Sequence, residues 1–154
     1  MKKRLAIKIS VLLLTVPFIW TAAALAANDT PSTVAVSGYD VVAYHTKGKA
    51  IRGSGFHVAT YQGVAYLFAT KANRKAFQQA PQKYVPEFAG YCAYGAAVGK
   101  KFYADPTVWK IVDGKLYLNL DKEIQAKWES DLSGNLKKGY ANWSKIRKDK
   151  PEGT

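Results

Sequence analysis

One cysteine, two histidines and a handful of phenols, amides and carboxylates hold whatever chemistry this sequence can offer. Cys92 is the single cysteine, set in Ala89-Gly90-Tyr91-Cys92-Ala93-Tyr94-Gly95-Ala96-Ala97-Val98-Gly99. A thiol attacks, oxidises or ligates a soft metal once it has thiolate character, which positive neighbours or a helix N-terminus supply. A helix entered at Gly90 would put Cys92 in its first turn. The same residue among alanines also reads as small apolar core, since cysteine is among the most buried types. His45 and His57 are the two histidines. Two imidazoles and a thiolate suit copper or zinc, although the three residues lie on separate elements and match no ligand spacing. Asp40, Tyr44, Tyr91 and Asn119 are the other groups that could line such a site.

Several chemistries are excluded. One cysteine allows neither an internal disulfide nor a Cys-x-x-Cys dithiol cycle. There is no Ser-His-Asp order, no paired-carboxylate signature and no phosphate-binding glycine loop. Asp105-Pro106 and Asp113-Gly114 are turn chemistry. Three readings stay open: a soft-metal binding module using Cys92, a thiol redox protein whose Cys92 sulfenate is resolved by an outside thiol, and an interaction domain in which Cys92 only packs.

The elements that must position these residues follow from periodicity. Val34 to His45 alternates around Gly38 and predicts a strand ended by His45, with His57 opening the next. Phe56–Tyr61 and Val64–Ala69 predict a hairpin turning at Gln62-Gly63, with Phe56, Val58 and Thr60 on one face and His57, Ala59 and Tyr61 on the other. Thr70 caps a helix over Lys71–Ala80, with a buried stripe of Ala72, Ala76, Phe77 and Ala80. Gln82–Ala89 is a proline-punctuated connector. Gly90–Gly99 predicts a short helix, and Phe102–Asp105 a short strand. Thr107–Val112 and Lys115–Leu120 predict a second hairpin at Asp113-Gly114. Asp121 caps the next helix, lined by Ile124 and Trp128. The last helix starts near Ser133 and carries Leu136, Tyr140, Trp143 and Ile146 as its apolar stripe. The sum is an α+β fold: a small antiparallel sheet of four to six strands built from hairpins, covered by three or four helices. The two hairpin-then-helix units agree in order and not in sequence.

The N-terminus bounds the compartment. Lys2, Lys3 and Arg4 precede a mostly apolar Leu5–Trp20, and Ala24-Leu25-Ala26 is a small-x-small cleavage site, so residues 1–26 predict a secretory signal peptide and a periplasmic or secreted protein. The apolar run is short for a membrane span. Residues 27–37 predict a flexible lead-in, 38–148 a single domain and 149–154 a tail. The whole chain carries a net charge of +12, and the part beyond the signal stays basic. That charge implies weak attraction to anionic surfaces and specifies no ligand. Nucleic acid is not expected for an exported chain without a recognition motif.

Gly38-Tyr39-Asp40-Val41-Val42-Ala43-Tyr44 opens a longer pattern. It runs through Phe56, Tyr61-x-Gly63-x-x-Tyr66-x-Phe68, Asn73-Arg74-x-x-Phe77, Pro81-x-x-Tyr84-x-Pro86, Gly90-Tyr91-Cys92-Ala93, Asp105-Pro106, Val112–Asn119, Trp128 and Trp143. Over this span the chain resembles the exported YHS-domain proteins of bacteria. The resemblance implies a small binding module linked to soft-metal handling of the copper type, with Cys92 as its point of contact. Metal-type members of the family carry cysteines where this chain has Val41-Val42 and Ala69-Thr70-Lys71, so a shared cysteine cluster is missing here.

Overall fold

The structure, a computed structural model, describes residues 34–152. The expected signal peptide, residues 1–26, lies outside the described residues, as does the lead-in up to residue 33. Residues 31–154 form one compact unit.

The class is α+β, as the periodicity predicts. The strands form two separate two-stranded antiparallel sheets rather than one sheet of four to six strands. The first correction comes at the start. Val41–Lys47 is a helix, α1, and not a strand. Asp40 caps it, Gly48 ends it in the left-handed conformation, and Val41, Val42, Ala43 and Tyr44 are all buried. A run buried on every side has no readable period. The capping carboxylate and the terminal glycine decide for helix.

The two hairpins stand where turn chemistry places them. Ser54–Tyr61 (β1) pairs with Val64–Phe68 (β2), and Asp105–Val112 (β3) with Lys115–Asn119 (β4). In each turn both central residues have positive φ, Gln62-Gly63 at 50° and 78° and Asp113-Gly114 at 49° and 74°. That twist matches the strands it joins. Phe102–Ala104 is not strand. Thr70 caps Lys71–Gln79 (α2), and a further turn of helix, Pro81–Tyr84 (α3), interrupts the expected connector. Ala93–Ala97 (α4) follows Cys92, Asp121 caps Lys122–Ser130 (α5), and Asp131 caps Leu132–Ile146 (α6). On α2 only Phe77 is fully buried, with Ala72 and Ala80 exposed. On α6 Asn135, Gly139 and Ile146 are buried, Leu136 and Trp143 pack partly buried on the second half's apolar residues, and Tyr140 lies at the rim, partly exposed with its ring 5.2 Å from Phe88. Gly139 belongs to the buried face because a side chain there would meet the Phe88 ring, its Cβ lying 2.9 Å from Phe88 Cζ.

The backbone plan is used twice. A turn with two left-handed non-glycine residues and a left-handed glycine comes first in each half: Val36, Ser37 and Gly38 at 50°, 49° and 81°, then Phe88, Ala89 and Gly90 at 52°, 52° and 81°. A tyrosine follows, then a capping residue (Asp40 or Cys92), a short helix, a hairpin, and a capped nine-residue helix. Even the hairpin irregularity repeats. The register breaks between Ser54 and Val58 in one and between Asp105 and Trp109 in the other. Asp40 N–H donates to the Ile51 carbonyl at 2.8 Å, and Cys92 N–H to the Phe102 carbonyl at 3.0 Å.

Each half has its own apolar cluster. Val41, Val42, Phe68 and Phe77 centre the first, and Phe88, Ala93, Ala96, Tyr117 and Trp128 the second. Tyr44, Leu116 and Leu118 form a third, which joins α1 to β4. A fully buried Leu or Phe contributes roughly 1.5–3 kcal/mol, so the halves are held together as well as individually packed. Val34 pairs with Ala65, and Ala35 and Val36 pack on the first cluster. Residues 34–37 of the expected lead-in are thus part of the packed fold. The expected tail is tied down too, since Glu152 N–H donates to the Lys101 carbonyl at 2.7 Å.

Candidate functional site

Cys92 is the N-cap of α4 and is 1 % exposed. Gly95 N–H donates to its sulfur at 3.4 Å. The thiol in turn donates to Asn119 Oδ1 at 3.7 Å, and Tyr94 N–H donates to the same oxygen at 3.1 Å. Two donors converging on one atom fix the amide orientation, because the Nδ2 end could accept from neither. Burial raises the Cys92 pKa, and the backbone N–H groups of Gly95, Leu120 and Tyr94 oppose that rise without cancelling it. Asn119 Oδ1 needs a proton on the sulfur. Position at a helix N-terminus would favour a thiolate, but desolvation wins. The group is a neutral, shielded thiol that closes a helix end.

The equivalent residue in the first half shows what such a cradle holds. Asp40 is fully buried. One carboxylate oxygen accepts from Val42 N–H at 2.9 Å and Ala43 N–H at 3.3 Å, the other from Ala69 N–H at 2.8 Å and Asn73 Nδ2 at 2.6 Å. These bonds tie α1, the end of β2 and α2 together. Asp40 is therefore a structural clamp, with its oxygens fully engaged.

The remaining expected site residues are spread out. Tyr44 is buried, and its hydroxyl donates to the Pro106 carbonyl at 2.7 Å while its ring meets Trp109 edge-on at 5.1 Å. Burial first, then Tyr39, Asp105 and Asp40, push its pKa up. Half-buried His45 lies on α1 with its ring edge-on to Tyr84 at 5.4 Å, and burial and Lys83 lower its pKa. His57 lies on β1, partly exposed. The structure brings Cys92 and Asn119 together. Among the described residues, no group of three or more His, Cys, Asp or Glu is placed to hold a metal ion.

A cleft of about 410 Å³ opens where the two left-handed turns face each other, beside the cysteine turn. Val36, Val64, Tyr66, Tyr91, Tyr103 and Leu118 are the larger side chains that line it. No charged side chain lines it. Tyr91 and Tyr103 rings lie 5.7 Å apart at 36°. Lys101 Nζ lies 4.4 Å from the Tyr91 ring centroid and is itself anchored, donating to the carbonyls of Arg147 at 3.1 Å and Asp149 at 2.8 Å. Burial raises the Tyr66 and Tyr91 pKa values, so both phenols stay protonated donors. The turns beside the cleft are strained: Val36, Ser37 and Ala89 hold φ near 50°, which costs an L-residue roughly 1–2 kcal/mol each. Another hollow, about 480 Å³, runs along the α2–α3 junction past Gln79, Pro81, Gln82 and Lys83. It is a surface groove with no converging groups.

Of the cleft residues, the sequence reading singled out Tyr91 and missed Tyr66, Tyr103, Val36 and Leu118. A usable signal existed in the repeated step Gly38-Tyr39-Asp40 and Gly90-Tyr91-Cys92, which marks two equivalent turns. No family model, curated protein or solved structure matches the chain.

Proposed function

We propose that this chain is an exported binding module of the YHS type and that the tyrosine-lined cleft between its two halves is the ligand site. The observation that carries the reading is the pairing of strained turns around an uncharged cleft, since strain of this kind persists where a site needs its walls held in place. The size suits a small molecule. The lining selects a neutral one, because an ion entering would lose hydration without a countercharge. Tyr66, Tyr91 and Tyr103 offer hydroxyl donors and flat faces, so the favoured ligand is apolar or aromatic with an acceptor at its edge. In this reading Cys92 supports the cleft wall from behind, through its backbone pairing with Leu118.

Titration with the neutral fluorophore N-phenyl-1-naphthylamine tests it. Saturable one-to-one binding is expected, weakened by Tyr103→Ala and blocked by Ala104→Trp, which fills the cleft. Binding that is absent, or that survives both changes, overturns the proposal. Stoichiometric Cu(I) uptake by the folded protein, lost in Cys92→Ser, would instead favour the soft-metal reading of the same resemblance.

A further inference from the structure

The outer face of α6 has a composition that packing does not explain. The helix contains no acidic residue. Lys137, Lys138, Ala141, Ser144 and Lys145, then Lys148 in the turn that follows, are all exposed. At three- and four-residue spacing they share one side of the helix. The other side carries Asn135, Gly139 and Ile146 into the interior. The ion pairs formed by lysines involve Lys100, Lys110, Lys115 and Lys127. Among the described residues none involves a lysine of this face. A solvated helix face ordinarily mixes both signs, and this one carries a single sign.

We infer that this face docks the protein on an anionic phospholipid surface. Charge complementarity is the ground: four lysines in one exposed row meet the size of cluster that binds anionic headgroups. Lysine ammoniums are compact point charges on flexible stems and suit a diffuse layer of phosphates, whereas recognition of one discrete phosphate favours the arginine fork. Between them lie Ala141 and Ser144, small enough to let the row lie flat. No aromatic side chain interrupts the row, as base stacking on a nucleic acid would require. The backbone below is firm. Asn142 Nδ2 donates to the carbonyls of Ala96 at 3.2 Å and Ala97 at 3.0 Å, and Lys101 holds the far end. The contact is electrostatic and peripheral.

Vesicle sedimentation tests this, using the compact unit of residues 31–154 so that the apolar N-terminal stretch contributes nothing. Vesicles of equal parts phosphatidylcholine and phosphatidylglycerol are compared with phosphatidylcholine alone. Changing Lys137, Lys138, Lys145 and Lys148 together to Gln is expected to weaken binding to the anionic vesicles at least about tenfold, each lysine being worth about fivefold near such a surface. A charge-matched control, with exposed Lys47, Lys49, Lys71 and Lys75 changed to Gln, is expected to keep most of the binding. Circular dichroism on both variants confirms the fold. Equal binding to uncharged vesicles, or equal loss in the two variants, overturns the inference. So does tighter binding to dextran sulfate than to the anionic vesicles at matched anionic charge, which would assign the face to a soluble polyanion.

Discussion

Asp40 and Cys92 occupy equivalent places in the two halves of the molecule. Each follows a left-handed turn and a tyrosine, and each caps the short helix that comes next. The carboxylate receives four hydrogen bonds. The thiol sits in the same setting with weaker bonds, and that equivalence sets what substitution should do.

Cys92→Ser keeps a side-chain acceptor for Gly95 N–H and a donor for Asn119, and is expected to cost less stability than Cys92→Val. Loss of a cap costs about 1 kcal/mol, and Val also leaves Asn119 Oδ1 one donor short. If Cys92 were only apolar filler the order would reverse. Urea denaturation of the two variants measures it.

Asp40→Ala removes the acceptor of four donors and leaves several of them buried and unpaired. Each such group costs about 1–3 kcal/mol, so a loss of about 3 kcal/mol or more is expected. A loss below about 1 kcal/mol by the same measurement would contradict the clamp.

The native thiol is expected to resist Ellman's reagent at neutral pH and to react fully once the protein is unfolded. It is buried, and its pKa is raised above the ordinary 9.0. Rapid stoichiometric reaction of the folded protein would show that α4 opens readily and would revive the redox reading.

Alkali should destabilise the fold. Cys92 is raised from 9.0, and Tyr44, Tyr66 and Tyr117 from 10.0, with burial the first cause in each. The folded chain then binds more protons than the unfolded chain above those ordinary values. This contribution is complete below about pH 9 and is lost as pH rises through the raised folded values. Thermal melts from pH 8 to 11 are expected to show a falling Tm above pH 9, and a flat profile would refute it.

Gly139→Ala is expected to destabilise, although alanine favours an exposed helix interior by about 1 kcal/mol. The new methyl would lie 2.9 Å from Phe88 Cζ, against a ring that also packs on Tyr117 and Trp143. A raised Tm would mean the ring yields easily.

Local chemistry was legible in the sequence where one residue type dictates it. Gln62-Gly63 and Asp113-Gly114 marked both hairpins, and Thr70 and Asp121 marked two helix starts. The Val41–Tyr44 run favours a strand by its β-branched and aromatic residues, while the helix signals lie outside the run, in Asp40 and Gly48. The duplicated plan was hidden because equivalent places hold unlike residues: Asp40 and Cys92, Phe68 and Asn119, Thr70 and Asp121, Phe77 and Trp128. What the halves share in sequence is sparse, Gly38-Tyr39 with Gly90-Tyr91 and Tyr66-Leu67 with Tyr117-Leu118, and the rest of the likeness is backbone conformation. The cleft was hidden for the same reason. Its walls come from turns and strands far apart in sequence, and only the fold gathers them.

The two hairpins carry a kinetic consequence. Apart from single-residue bridges, every strand pairs with its immediate neighbour across a two-residue turn, so sheet formation closes only small loops and should be fast. The slower event is then the meeting of the halves, when Tyr44 reaches Pro106 across the sequence. The tyrosine cleft, whose walls come from both halves, takes shape only at that meeting.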